Sequence, residues 1–100
     1  MNSSLAQTLE SIVEVLRRYG ENKWAARLEE DLFFIRKRDA YGAKRFRTHF
    51  GGMGSLQDLI VCPENGHAIA PENVANVNGE LTALLSKAYE LATTFPDGDG

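Results

Sequence analysis

Cysteine is almost missing from this chain of 100 residues: Cys62 stands alone, so no internal disulfide can form. That usage fits a reducing compartment, and the cytoplasm is the expected location. Histidine is nearly as scarce, with His49 and His67 only, and no His-x-x-x-His or Cys-x-x-Cys spacing occurs. A metal centre needs about three or four converging ligands, so no metal and no other cofactor is expected. Long apolar runs are missing too. The longest, Leu32-Phe33-Phe34-Ile35, is far short of the roughly 20 residues that cross a bilayer. Met1-Asn2-Ser3-Ser4 lacks the basic start and apolar continuation of a signal peptide. Neither a membrane span nor a secretory leader is expected. Basic residues are rare in the second half: Lys87 stands against seven acids in residues 51–100, a net −6, whereas residues 1–50 carry ten Lys/Arg and seven Asp/Glu, a net +3.

What is present suits one ordinary domain. The 43% hydrophobic and 25% charged fractions are those of a globular protein large enough to bury a core. Leu5, Leu9, Ile12, Val13 and Leu16 recur at helical spacing and predict a helix from Ser4 to Tyr19. Ser4 with Gln7 reads as a capping box, and Gly20 as the residue that closes the helix. A second helix is expected from Asn22, as N-cap, to Arg38. Trp24, Leu28, Leu32 and Ile35 line its apolar face, with Ala25 and Phe33 beside it and Glu29, Glu30 and Asp31 opposite. Its short connection to the first helix makes the two antiparallel neighbours. A third helix starts at Asp39 and runs to Phe50, burying Ala40, Ala43, Phe46 and Phe50 and turning Lys44, Arg45 and Arg47 to water or a partner. Gly42 weakens it by about 1 kcal/mol relative to alanine.

Three glycines follow within four residues, in Phe50-Gly51-Gly52-Met53-Gly54-Ser55. Such a run marks a tight joint where φ turns positive or two segments touch. Ser55 with Asp58 suits a short helical turn, and Met53 and Leu56 either cap the core or face outward. Leu59 to Cys62 reads as a strand, Pro63-Glu64-Asn65-Gly66 as a hairpin turn, and His67 to Ala70 as the returning strand. Pro71 opens a last helix that carries Val74, Val77, Leu81, Leu84, Leu85, Ala88, Leu91, Ala92 and Phe95, with a possible break at Asn78-Gly79. The expected fold is mainly α: three helices, a glycine joint, a short β-hairpin and a long C-terminal helix. Residues 1–96 form the domain and 97–100 a flexible tail.

Chemistry-bearing constellations are few. Cys62 and His67 face each other across the expected hairpin. A thiol–imidazole nucleophile would also need an orienting acid and an oxyanion hole, and no enzyme is expected. Gly51-Gly52-Met53-Gly54-Ser55 has no lysine after its glycines, and a helix rather than a strand before them, which excludes a Walker loop and a dinucleotide fingerprint. The cations from Arg36 to Arg47 interleave with Tyr41, Phe46 and His49, a pattern that suits nucleic acid. The sequence pI near 5.3 argues against a dedicated nucleic-acid binder.

The run Phe50-Gly51-Gly52-Met53-Gly54-Ser55-Leu56-Gln57-Asp58-Leu59, with Asn65-Gly66-His67 after it, resembles a small bacterial family of unknown function. Its motif is Phe-Gly-Gly-Met-Gly-Ser-hydrophobic-Asn/Gln-Asp-hydrophobic; Gln57 stands where the family more often has Asn. Leu16-Arg17-Arg18-Tyr19-Gly20, Trp24-Ala25 and the last helix extend the resemblance over nearly the whole chain. It implies an immunity protein of a polymorphic toxin system, a cytosolic binder that neutralises a cognate toxin by direct contact. It carries over no catalytic residues. Many such toxins are nucleases with cationic clefts, so an acidic surface would steer one in. The expected contact set is Asp58, Glu64, Glu72 and Glu80. The alternative is a nucleic-acid-associated or regulatory adaptor using the basic 36–47 segment. A homo-oligomer is a third reading; the oligomeric state is open.

Overall fold

The apolar stripe of the first segment folds as its spacing predicts. In the computed structural model, which describes residues 2–51 and 54–95, helix α1 spans Asn2–Arg18 and buries Leu5, Leu9, Ile12, Val13, Val15 and Leu16. The expected capping box rests on Ser4, whose side chain lies outside the described set, as do Gly52, Met53, Pro96 and the 97–100 tail. Gly20 closes α1 with φ +87°. Its N–H donates to the Arg17 carbonyl at 3.2 Å and that of Glu21 to the Leu16 carbonyl at 2.8 Å, the paired bonds of a Schellman end. The chain reverses there and α2 (Asn22–Arg36) returns along α1.

The N-cap of α2 is Glu21 rather than Asn22. Its carboxylate accepts from the Trp24 N–H at 3.4 Å. Leu28, Leu32 and Ile35 enter the core, but Phe33 is 52% exposed, so the four-residue apolar run is split between the two sides of the helix. α3 (Ala40–Thr48) begins at Asp39, whose carboxylate accepts from the Tyr41 N–H at 3.0 Å. Phe46 is fully buried, and burial of a side chain that size contributes roughly 1.5–3 kcal/mol. α3 ends sooner than expected, and Phe50 follows in a bend, its ring edge-on to Phe46.

Gly42 is the position at which α3 crosses α2. A Cβ there would stand 2.7 Å from the Asp31 carbonyl oxygen and 2.9 Å from the Ile35 nitrogen, both backbone atoms that cannot swing away. The glycine that weakens the helix in isolation is what lets the two helices touch.

The joint after α3 takes positive φ at Gly51 (+90°) and Gly54 (+77°), and the chain turns back to bury Leu56 completely. The Leu56 N–H donates to the His49 carbonyl at 2.8 Å, so the joint closes on the end of α3.

No β-strand occurs among the described residues, and the expected hairpin is absent. Residues 59–62 and 67–70 flank a 3₁₀ turn, Pro63–Asn65, without pairing as a ladder. The polar groups a partner strand would use are taken by side chains. Val61 gives its N–H to Asn78 Oδ1 and its carbonyl to Asn78 Nδ2, both at 2.8 Å. Asn65 Nδ2 donates to the Ile60 carbonyl, while the Ala68 N–H donates to the backbone carbonyl of Tyr19. One side-chain amide stands in for a strand.

A further 3₁₀ turn, Pro71–Asn73, leads into α4 (Val74–Thr93), which packs on α1 and α3. α4 does not break at Asn78-Gly79: Asn78 Nδ2 also holds the Val74 carbonyl, and Gly79 sits in open space within a continuous helix. No described helix is long and apolar enough to cross a membrane.

Candidate functional site

Three helices and two loops bring polar side chains into the interior at two places. The first lies where α2 and α3 cross. Asp31, expected on the polar side of α2, is fully buried. One carboxylate oxygen accepts from Arg45 Nε at 2.9 Å and the other meets His49 Nε2 at 2.7 Å. Arg45 also reaches Glu30 at 2.8 Å. Its hydrogen bond to Asp31 holds the guanidinium pKa above its ordinary value, so Arg45 keeps its charge throughout. His49 packs edge-on against Trp24 at 5.3 Å. Above this junction, Tyr41, Lys44, Arg45, Thr48 and His49 line an open depression of about 400 Å³. Arg45 and His49 are both turned to Asp31, so the arrangement works as a clasp between helices.

The second place lies beneath the 59–70 loop. The Cys62 N–H donates to His67 Nδ1 at 3.1 Å, and His67 Nε2 lies 2.8 Å from Glu21 Oε1. An Nδ1 that accepts puts the ring proton on Nε2, where it donates to the carboxylate. Histidine and acid do meet here, as a catalytic triad would require. What joins Cys62 to the ring, however, is its backbone N–H, and the nitrogen that would take a thiol proton is already occupied. His67 is 8% exposed and links the loop to the start of α2. No group of three or more metal-ligating side chains occurs among the described residues.

The basic 36–47 run is largely spoken for. Arg36 pairs with Glu10, Arg45 with Asp31 and Glu30, and Arg47 donates to the Ala92 carbonyl at 2.7 Å in the last turn of α4. Arg45 and Arg47 therefore do not face water or a partner as expected. Lys37 lies over the Phe33 ring at 4.3 Å, while Arg38 and Lys44 point outward.

All seven acids of residues 1–50 are engaged. Glu10 pairs with Arg36, Glu14 with Arg18, Glu29 with Arg17, Glu30 and Asp31 with Arg45, Glu21 with His67, and Asp39 caps α3. The Arg17 hydrogen bond holds the Glu29 carboxyl below its ordinary range. In the second half the pattern reverses. Asp58 accepts from the Gly54 N–H at 3.1 Å and braces the glycine joint. Glu64, Glu72 and Glu80 are exposed and have no partner among the described residues. Glu64 lies in the 63–65 turn and Glu72 in the 71–73 turn. Glu80 is two residues beyond Asn78, about 200° around α4, and so leaves the helix on the side away from the loop that Asn78 carries. The four expected contact residues are all on the surface, but Asp58 is committed to the joint and Glu80 is set apart.

A family model described as a domain of unknown function, DUF6966, matches residues 17–70. The chain belongs to the DUF6966 family. No curated protein and no solved structure matches it. The DUF6966 segment starts at the end of α1 and stops before α4, so it contains the Asp31–Arg45–His49 clasp, the glycine joint and the His67–Glu21 link. Asn78, Glu72 and Glu80 lie beyond it.

Two residues in this DUF6966 protein escaped the sequence reading although their spacing marks them. Asp31 is three residues from Leu28 and four from Ile35, on the buried stripe itself. Asn78 follows Val74 by four and precedes Leu81 by three. An acid or amide at a core register position signals a buried polar partner. Nothing in the sequence marks Glu21 as the partner of a histidine 46 residues away.

Proposed function

We propose that this chain is an immunity protein: a cytoplasmic binding protein that neutralises a cognate bacterial toxin by direct contact, through acidic turns that carry Glu64 and Glu72. The observation that carries this reading is the division of the acids. Those of the first half are paired or capping within the fold, whereas Glu64, Glu72 and Glu80 are exposed and have no partner among the described residues. Unpaired surface carboxylates add little to stability. They do raise the rate at which a cationic partner arrives and select against acidic ones. The resemblance of the Phe50–Leu59 motif to a family of immunity proteins of polymorphic toxin systems supports the same reading, with a nuclease as a fitting partner. The basic 36–47 segment supports the nucleic-acid alternative less well, because Arg36, Arg45 and Arg47 are turned to partners within the fold.

The test is growth rescue. Each protein domain encoded beside this gene is screened for toxicity on expression, and a toxic one is expressed with and without the chain; a neighbourhood with no toxic domain would count against the assignment. Rescue together with a stoichiometric purified complex is expected. Continued killing despite folded, soluble protein would contradict the assignment.

A further inference from the structure

The 59–66 loop holds one 3₁₀ turn, Pro63–Asn65, and no strand, yet side chains fasten it at several points. Asn78 takes both backbone groups of Val61. Asn65 Nδ2 holds the Ile60 carbonyl at 2.8 Å. The His67 ring accepts from the Cys62 N–H and is held in turn by Glu21. Between these fixed points the Ile60 side chain is left 53% exposed.

We infer that this loop is a pre-formed docking element whose apolar anchor is Ile60, and that its occupant is an apolar hollow on a cationic protein surface. The inference rests on the toxin-binding reading above and names the contact that reading leaves open. A loop already fixed in shape loses little conformational entropy on binding, so more of the contact energy appears as affinity. An apolar centre rimmed by charge is also how interfaces concentrate their energy. The charge this segment carries is acidic: Glu64 is exposed in the same loop, and Glu72 is exposed in the turn that leads into α4, neither with a partner among the described residues.

The other exposed large apolar side chains fit this partner less well. Phe33 carries the Lys37 ammonium on its face and stands edge-on to Phe34, and Tyr41 lies 5.9 Å from the Arg45 guanidinium. The Lys37 ammonium over Phe33 would repel a cationic surface, and the Arg45 guanidinium beside Tyr41 is already held by Asp31 and Glu30. Tyr89 is edge-on to Phe50 at 4.9 Å.

The experiment is a calorimetric titration of the purified toxic domain found by the growth screen above with the full chain and three variants; if that screen finds none, both the inference and the reading it rests on fall. Ile60→Asp is expected to weaken the complex by about 30-fold or more, the scale of an interface hot spot, with an unchanged melting temperature because the side chain is exposed. Phe33→Ala is expected to bind like the parent. Asn78→Ala is expected to bind more weakly and to exchange the Val61 amide proton faster, which reads loop fixation separately from fold stability. If the parent binds and Ile60→Asp binds equally well, or Phe33→Ala is the variant that fails, the docking inference is overturned while the toxin-binding reading stands. If the parent itself does not bind, both fall.

Discussion

Arg45 and Asp31 illustrate how differently two members of one pair can depend on each other. Asp31 has no contact with solvent, whereas the Arg45 side chain is 28% exposed. Removing the arginine strands a carboxylate in the interior with only His49 beside it. Removing the carboxylate leaves a guanidinium that still holds Glu30 and can turn to water. Breaking a buried pair from the side that strands a charge costs about 3–5 kcal/mol. Arg45→Met is therefore expected to lose about that much in urea denaturation, and Asp31→Asn clearly less. Equal losses, or the reverse order, would show that the carboxylate is not the buried partner. This clasp was only partly readable from the sequence. Periodicity places Asp31 on the buried stripe of α2, but pairing with residues 14 and 18 positions later depends on a crossing angle that no local signal encodes.

At the scale of elements, the helices and the glycine joint were legible and the 59–70 segment was not. Leu5 to Leu16 and Val74 to Ala92 repeat their apolar residues often enough to set both type and boundaries within a few residues. Residues 59–70 carry Ile60, Val61 and the Asn65-Gly66 pair, all local signs of a hairpin. They lose to a tertiary contact, because Asn78 satisfies both backbone groups of Val61 and no second strand is needed. The two helical glycines make the same point from the opposite side. Local propensity treats Gly42 and Gly79 alike, each about 1 kcal/mol poorer than alanine. Their surroundings separate them: a Cβ on Gly42 meets backbone at 2.7 Å, and one on Gly79 meets nothing within 4 Å. Gly79→Ala is expected to raise stability by about 0.5–1 kcal/mol. Gly42→Ala is expected to lower it by about 1–3 kcal/mol, because the helices must move apart. Thermal melts of the two variants check both; stabilisation by Gly42→Ala would mean that the close crossing does not exist.

At the scale of the whole molecule, charge is sorted by use. The acids of the first half are all engaged within the fold, while Glu64, Glu72 and Glu80 of the second half meet no partner among the described residues. The imbalance between the halves, +3 against −6, is plain in the sequence. What the sequence does not carry is which charges are consumed internally, since that depends on which helices touch. The direct measurement is the association rate between the chain and the toxic domain it rescues cells from, followed by stopped flow from low to high salt. The account predicts a fall of about tenfold or more across that range for the native chain, and a slow, nearly flat rate for Glu64→Lys combined with Glu72→Lys. A rate that ignores both salt and the charge reversal would contradict it.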